Sequence, residues 1–184
     1  MQKQKFILCL FFIFTCNFAI HASHLMGGEI TWKCLANGQF KFTMKVYRDC
    51  NGVQFSAPVQ MDVHNYPGLT QIQMNLVTQT DISSTGAAGS SADNCPTCVN
   101  PGTVGGAVEE FILESNPITL TGVPPANGWI FSYSSCCRNA AITNLSGAGG
   151  LGFTLRAIMY SYNGLNTNPC YDSSPAFAEI PNSI

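Results

Sequence analysis

The chain predicts an all-β protein in which antiparallel strands close into a β-sandwich held by disulfides. Three observations carry that expectation. Apolar and polar residues alternate with period two through most of the chain, the pattern of strands with one buried and one wet face. Charged residues make up 10% of the 184 residues, well below the roughly 25% of an ordinary soluble protein, and the Lys and Glu that cover helix surfaces are scarce. No stretch carries the period of a helix longer than a turn or two.

The strands follow in order. Glu29 to Leu35 alternates Ile30, Trp32 and Cys34 against Thr31 and Lys33. Asn37-Gly38 then supplies residues that tolerate positive φ in a tight turn. Beyond it Phe40, Phe42, Met44 and Val46 oppose Gln39, Lys41, Thr43 and Lys45, so the two runs make a β-hairpin. Val59, Met61 and Val63 repeat the pattern, as do Ile72, Met74 and Leu76. From about Thr80 to Gly106 the text turns to Ser, Gly, Ala, Thr and Asn around Cys95-Pro-Thr-Cys98, which reads as one long loop ordered through its cysteines. Strand-like text resumes at Val108 to Leu113, Ile118 to Thr121, the aromatic run from Gly128, and Phe153 to Tyr162.

The aromatic run Gly128 to Asn139 is central. Trp129, Phe131 and Tyr133 share one parity, Ile130, Ser132 and Ser134 the other, and Cys136-Cys137 closes the strand. Sheets with one wet face must close on each other to hide the dry one. The expected fold is an all-β, antiparallel β-sandwich of Ig-like type, disulfide-stapled, with one long loop.

The N-terminus reads as a leader. Lys3 and Lys5 precede an apolar run from Phe6 to Ile20, with Ala22 as a small residue for cleavage, so residues 1–22 read as a secretory signal peptide. A retained anchor is the weaker reading, because the run is short of the ~20 residues that span a bilayer and holds Thr15 and Asn17. A lipoprotein site at Cys16 is poor, since bulky Phe14 and Thr15 precede it. Residues 23–168 form the expected β-sandwich domain. Residues 169–184, rich in Asn, Pro and Ser, read as a linker or the start of a following, truncated β-domain.

Cleavage leaves six basic against ten acidic residues, a net charge of −4, with no clustered basic patch of the kind that binds nucleic acid. It also leaves Cys34, Cys50, Cys95, Cys98, Cys136, Cys137 and Cys170, which in an exported chain are disulfide candidates first. Seven is odd, so at least one lacks a partner within the chain. By strand parity Cys34 and Cys50 share the buried face of Phe40 to Val46, while Cys137 continues the parity of Trp129. The expectation is a bridge from Cys137 to Cys34 or Cys50, with Cys50 preferred at its strand end. The competing arrangement is a vicinal Cys136–Cys137 bond.

No catalytic, cofactor or metal residue is expected. Gly147-Ala-Gly-Gly-Leu-Gly152 matches a dinucleotide fingerprint by letters, but a strand follows it where the fingerprint needs a helix. Cys95-Pro-Thr-Cys98 lacks the βαβ setting of a redox motif, and adjacent Cys136 and Cys137 make a poor second half of a zinc site. His64 falls on a polar parity and His24 stands alone. Glu109 and Glu110 point to opposite faces of a strand. Asp62, Asp81 and Asp93 are too scattered for a calcium loop.

Three runs together carry a resemblance: Ala22-Ser-His-Leu-Met-Gly-Gly-Glu-Ile30, Phe42-Thr-Met-Lys-Val-Tyr-Arg-Asp-Cys-Asn-Gly52 and Cys136-Cys-Arg-Asn-Ala-Ala-Ile-Thr-Asn-Leu145, joined by Ser174-Pro-Ala-Phe177. The chain resembles the N-terminal region of large secreted surface proteins of Bacteroidota-type bacteria, which commonly end in a gliding-motility-associated C-terminal domain. The resemblance implies a non-enzymatic, extracellular structural or adhesive module at the cell surface, tied to gliding or adhesion. Its partners would be neighbouring β-domains of a longer chain, other surface proteins or glycans, with no nucleic acid and no membrane span after cleavage. The downstream repeats and the sorting domain of that pattern are not in this sequence. A carbohydrate-binding sandwich is the alternative, which exposed aromatics on one loop edge would favour, although Trp32 and Trp129 both read as inward. A secreted enzyme is a distant third.

The leader makes one expectation measurable. The exported protein should lack its first ~22 residues, and N-terminal sequencing that found Met1 on it would refute the assignment.

Overall fold

A computed structural model of the chain describes residues 25–83, 98–99, 107–136, 138–139 and 142–175. Among the described residues seven strands run in order: β1 (Leu25–Cys34), β2 (Phe40–Asp49), β3 (Val59–His64), β4 (Gln71–Asp81), β5 (Val108–Glu114), β6 (Trp129–Cys136) and β7 (Gly152–Met159). A 3-10 turn at Ala148–Gly150 is the helical element among the described residues, and it occupies the Gly-rich run as a turn that leads into β7.

The expected hairpin forms, with Cys34 opposite Phe40 and Trp32 opposite Phe42. Gly38 sits at φ 80°, and a Cβ there would stand 2.7 Å from the Pro169 ring. Glycine is therefore required twice over at this turn. β1 begins at Leu25, four residues before the alternation suggests. Gly28 explains part of that extension: a side chain there would strike the Lys45 carbonyl and the Leu155 side chain of β7.

Every hydrogen-bonded pair of strands is antiparallel, in the order β1-β2-β5-β4-β3-β6-β7. β4 serves both halves of this sheet. Gln71–Met74 pairs with β3, while Asn75–Asp81 pairs with β5 across an irregularity between Leu76 and Thr78. Split at that point, the halves are β1-β2-β5-β4 and β3-β6-β7, the strand order of a seven-stranded immunoglobulin-type domain. The sandwich is thus one continuous sheet folded over at β4. The irregularity lies past Leu76, which still pairs with buried Leu113 but is itself 44% exposed, unlike Ile72 and Met74 before it.

The core lies between the two halves. Phe40, Phe42, Met44 and Val46 of β2 and Phe111 and Leu113 of β5 face Met61, Val63, Trp129 and Phe131 of β3 and β6, all at most 4% exposed. Phe42 and Phe131 meet with ring centroids 4.5 Å apart, and Trp32 leans on both at 6.3 and 6.1 Å. Tyr66 closes over Trp129 edge-on at 4.7 Å. Ile118 to Thr121 is not a strand. Ile118 makes a single bridge to Phe40, and Pro117, with no N–H to donate, precedes it.

Two disulfides have both cysteines described: Cys34–Cys170, with Cα atoms 5.6 Å apart, and Cys50–Cys98, at 5.0 Å. These pairings correct the expected bridge from Cys137 to Cys34 or Cys50. The reason is positional. β2 ends at Asp49, so strand parity no longer aims Cys50, and Cys34 stands where β1 gives way to the turn. The inward sites that a cross-sheet staple would use hold Phe42 and Phe131 instead. Cys95 and Cys137 lie outside the described residues, as does most of the long loop.

The aromatic contact generates a stability prediction. Phe42→Ala should lower unfolding free energy by about 3–5 kcal/mol, read by urea denaturation with disulfides intact. A loss below 1 kcal/mol would mean that the two halves do not depend on this pair.

Candidate functional site

The three runs that carry the resemblance converge on one end of the sandwich. Leu25 pairs with Arg48 in the β1–β2 register and bridges to Arg138. Arg48 continues the inward parity of β2 after Val46, which takes a guanidinium to 4% exposure. A charge so placed needs partners for its donors. Its Nη2 and Nε donate to Glu109 Oε2 at 2.6 and 3.2 Å, its Nη1 donates to the carbonyls of Gly52 and Val53, and Nη2 also reaches Gln54 Oε1. Gln79 donates to the other Glu109 oxygen at 2.6 Å.

Beside this network Asp49 is 4% and Asn139 7% exposed. Asp49 Oδ2 accepts from Asn139 Nδ2 at 2.7 Å, and Oδ1 accepts from the Asn51 N–H. The Arg-Asp of the second run and the Arg-Asn of the third are therefore scaffold. They join β2, β5 and the segment after β6. Glu109 and Glu110 do diverge, but Glu109 is the buried partner of Arg48. Sequence alternation held the signal for this, since Arg48 lies on the parity of four apolar residues.

The same end holds Cys50–Cys98. Asp81 sits beside it, its carboxylate accepting from the Ser83 hydroxyl, the Cys98 N–H and the Ser83 N–H. These bonds lower the Asp81 pKa below its usual value. Because Cys98 bonds Cys50, Cys95-Pro-Thr-Cys98 is not a redox pair closed on itself. Cys136 is disulfide-bonded as well. Among the described residues no cluster of three or more His, Cys, Asp and Glu side chains is placed to hold a metal ion. His64 is exposed and meets Ser132 Oγ at 3.2 Å.

The opposite end carries a cleft of about 270 Å³. β7 ends at Met159, and Tyr160-Ser161-Tyr162 leaves the sheet into a turn where Asn163 and Gly164 adopt φ of 50° and 68°. Thr167, 2% exposed, pins that turn by donating to the Leu120 carbonyl at 3.0 Å. Asn166 accepts from the Gly122 N–H. The chain then returns along β1. Cys170 bonds Cys34, Ser173 Oγ accepts from the Cys34 N–H at 2.9 Å, and Ser174 Oγ accepts from the Trp32 N–H at 2.9 Å. The Ser174 N–H donates to the Trp32 carbonyl. Trp32 forms the floor of the cleft, with Tyr160, Tyr162 and Tyr171 around it. The Tyr162 and Tyr171 ring centroids are 6.1 Å apart.

No family model, curated protein or solved structure matches the chain. The two ends therefore stand on their own chemistry. One is a satisfied polar scaffold; the other is an open, aromatic hollow. Sequence reasoning missed the hollow because residues 169–184, which supply part of its wall, read as a linker or the start of another domain, and because the expectation of exposed aromatics weighed only the tryptophans. Tyr160, Tyr162 and Tyr171, flanking Cys170 in sequence, were the available signal.

Glu109→Leu should destabilise the fold by about 3–5 kcal/mol, since it strands the buried Arg48 charge, whereas Arg48→Met with Glu109→Leu should recover most of that loss. Thermal or chemical denaturation of the two variants checks it. Equal losses in both would mean that packing, and not the stranded charge, sets the cost.

Proposed function

We propose that the chain is a non-enzymatic extracellular module with a structural and adhesive role at a bacterial surface, the role that its resemblance implies. The observation that supports this reading is the position of Cys34–Cys170. This bridge spans 136 residues and joins the end of the first strand to the segment that follows the last. Tension applied across the ends of the domain passes through the bridge, and β2 to β7 lie inside the closed loop. Pulling can draw out only residues before Cys34 and after Cys170.

Other features suit the same role. Paired cysteines persist in oxidising compartments outside the cytosol. In the chain-entropy account, loops of 136 and 48 residues correspond to roughly 5 and 4 kcal/mol of stabilisation, large against the 5–15 kcal/mol of a typical domain. Among the described residues no helix is long and apolar enough to cross a membrane. The buried charges of Arg48, Asp49 and Glu109 serve packing, which fits a module whose task is to stay folded and present a surface.

Two measurements test the role. Pulled from both ends, the oxidised chain should release little length, and reduction should expose the 136 bridged residues, roughly 450–490 Å of extended chain. On bacterial cells that display the chain, replacing Cys34 and Cys170 by Ser should weaken attachment under flow. Unchanged attachment under flow, or full extension of the oxidised chain, would overturn a load-bearing adhesive role.

A further inference from the structure

Aromatic side chains with open faces gather at the cleft beside β1. Tyr160 is 60% exposed, Tyr162 59% and Tyr171 39%, and Trp32 lies half-buried beneath them. An aromatic face carries partial negative charge and its edge partial positive charge. The ligand that matches such a face presents polarised C–H groups on a flat side. A pyranose ring does this, and carries hydroxyls around its rim that need donors and acceptors in the same plane.

The rim of the cleft supplies them. Asp172 accepts from the Ser173 N–H at 2.8 Å through one carboxylate oxygen, which orients the group and leaves its second oxygen without a bond among the described residues. The Ser161 hydroxyl accepts from the Gly164 N–H and keeps its proton for donation. The tyrosine phenols add further groups that both donate and accept. The lining holds one carboxylate and no Lys or Arg, so it does not attract a phosphate, a sulfate or an acidic sugar. A volume of about 270 Å³ falls just below the roughly 300–1,000 Å³ of pockets for drug-sized molecules. That suits a terminal ring or two rather than an enclosed long chain.

A peptide strand is the main competitor, because β1 is an edge strand and edges recruit strands. Beside the cleft that edge is already closed. The Trp32 and Cys34 N–H groups and the Trp32 carbonyl are bonded to Ser173 and Ser174. The walls are also set in advance by Cys34–Cys170 and by the Thr167 anchor, so a ligand meets little ordering cost.

We infer that this cleft is a binding site for a neutral saccharide, with Tyr160, Tyr162 and Trp32 as the stacking surface and Asp172 and Ser161 as hydrogen-bonding groups. The inference rests on the adhesive reading and names what the module adheres to.

The test is an array of neutral and acidic oligosaccharides probed with the mature chain, followed by titration of the retained sugars. Tyr160→Ala and Tyr162→Ala, both more than half exposed, should each weaken binding at least tenfold with the far-ultraviolet circular dichroism unchanged. Leu151→Ala, exposed and away from the cleft, should leave binding intact. A bound sugar should change tryptophan fluorescence through Trp32, and the tyrosine variants should abolish that change. Retention of no sugar, retention of acidic sugars alone, or binding indifferent to both tyrosines would overturn the site. Attachment under flow that persists in the tyrosine variants would reject the cleft while leaving the load-bearing module standing.

Discussion

Phe42 and Phe131 come from strands in opposite halves of the sheet and touch at its centre, with Trp32 resting against both. Every other feature depends on that closure. β4 must cross from one half to the other for the rings to face each other, and the irregularity past Leu76 lets it do so. In antibody domains a disulfide occupies this position between the second and sixth strands. Here two aromatic side chains fill it, so the cysteines are available at the ends of the sandwich, where they tie down segments that strand pairing does not reach.

The two ends then divide the chemistry. At one, alternation carries Arg48 inward, and burial obliges the fold to surround it with Glu109, Gln54 and the carbonyls of Gly52 and Val53. The neighbouring Asp49–Asn139 bond spans 90 residues of sequence. At the other, the returning segment from Cys170 to Ser174 closes the β1 edge with side-chain hydroxyls and backbone groups. The same segment completes the wall of the aromatic cleft, so covalent closure and the candidate ligand site share one structural element.

Much of the β framework was legible residue by residue. The period-two runs of β2, β3, β5 and β6 map onto strands because each buries one face, and Asn37-Gly38 marks the hairpin because few other pairs tolerate its backbone. Legibility failed where the controlling contact is remote. Ile118 to Thr121 alternates like a strand, yet it makes one bridge. Leu76 belongs to the apolar parity of β4 and still faces water, because the strand changes partner there. The cleft was invisible for the same reason: Trp32 and Phe40 line it together with residues 158–162 and 171–175, and Cys34–Cys170, the serine bonds and the Thr167 anchor help bring these distant segments together.

By itself the sequence determined what short-range physics controls. Alternating side chains select strands, positive-φ residues select turns, and scarce charge with abundant cysteine selects a class of fold. Tertiary structure alone decided which cysteines meet, which charged side chain is buried, and where aromatic faces stay open. Those outcomes depend on where chain ends and loops arrive after the sheet has folded over. Parity along a strand carries no information about a partner 136 residues away.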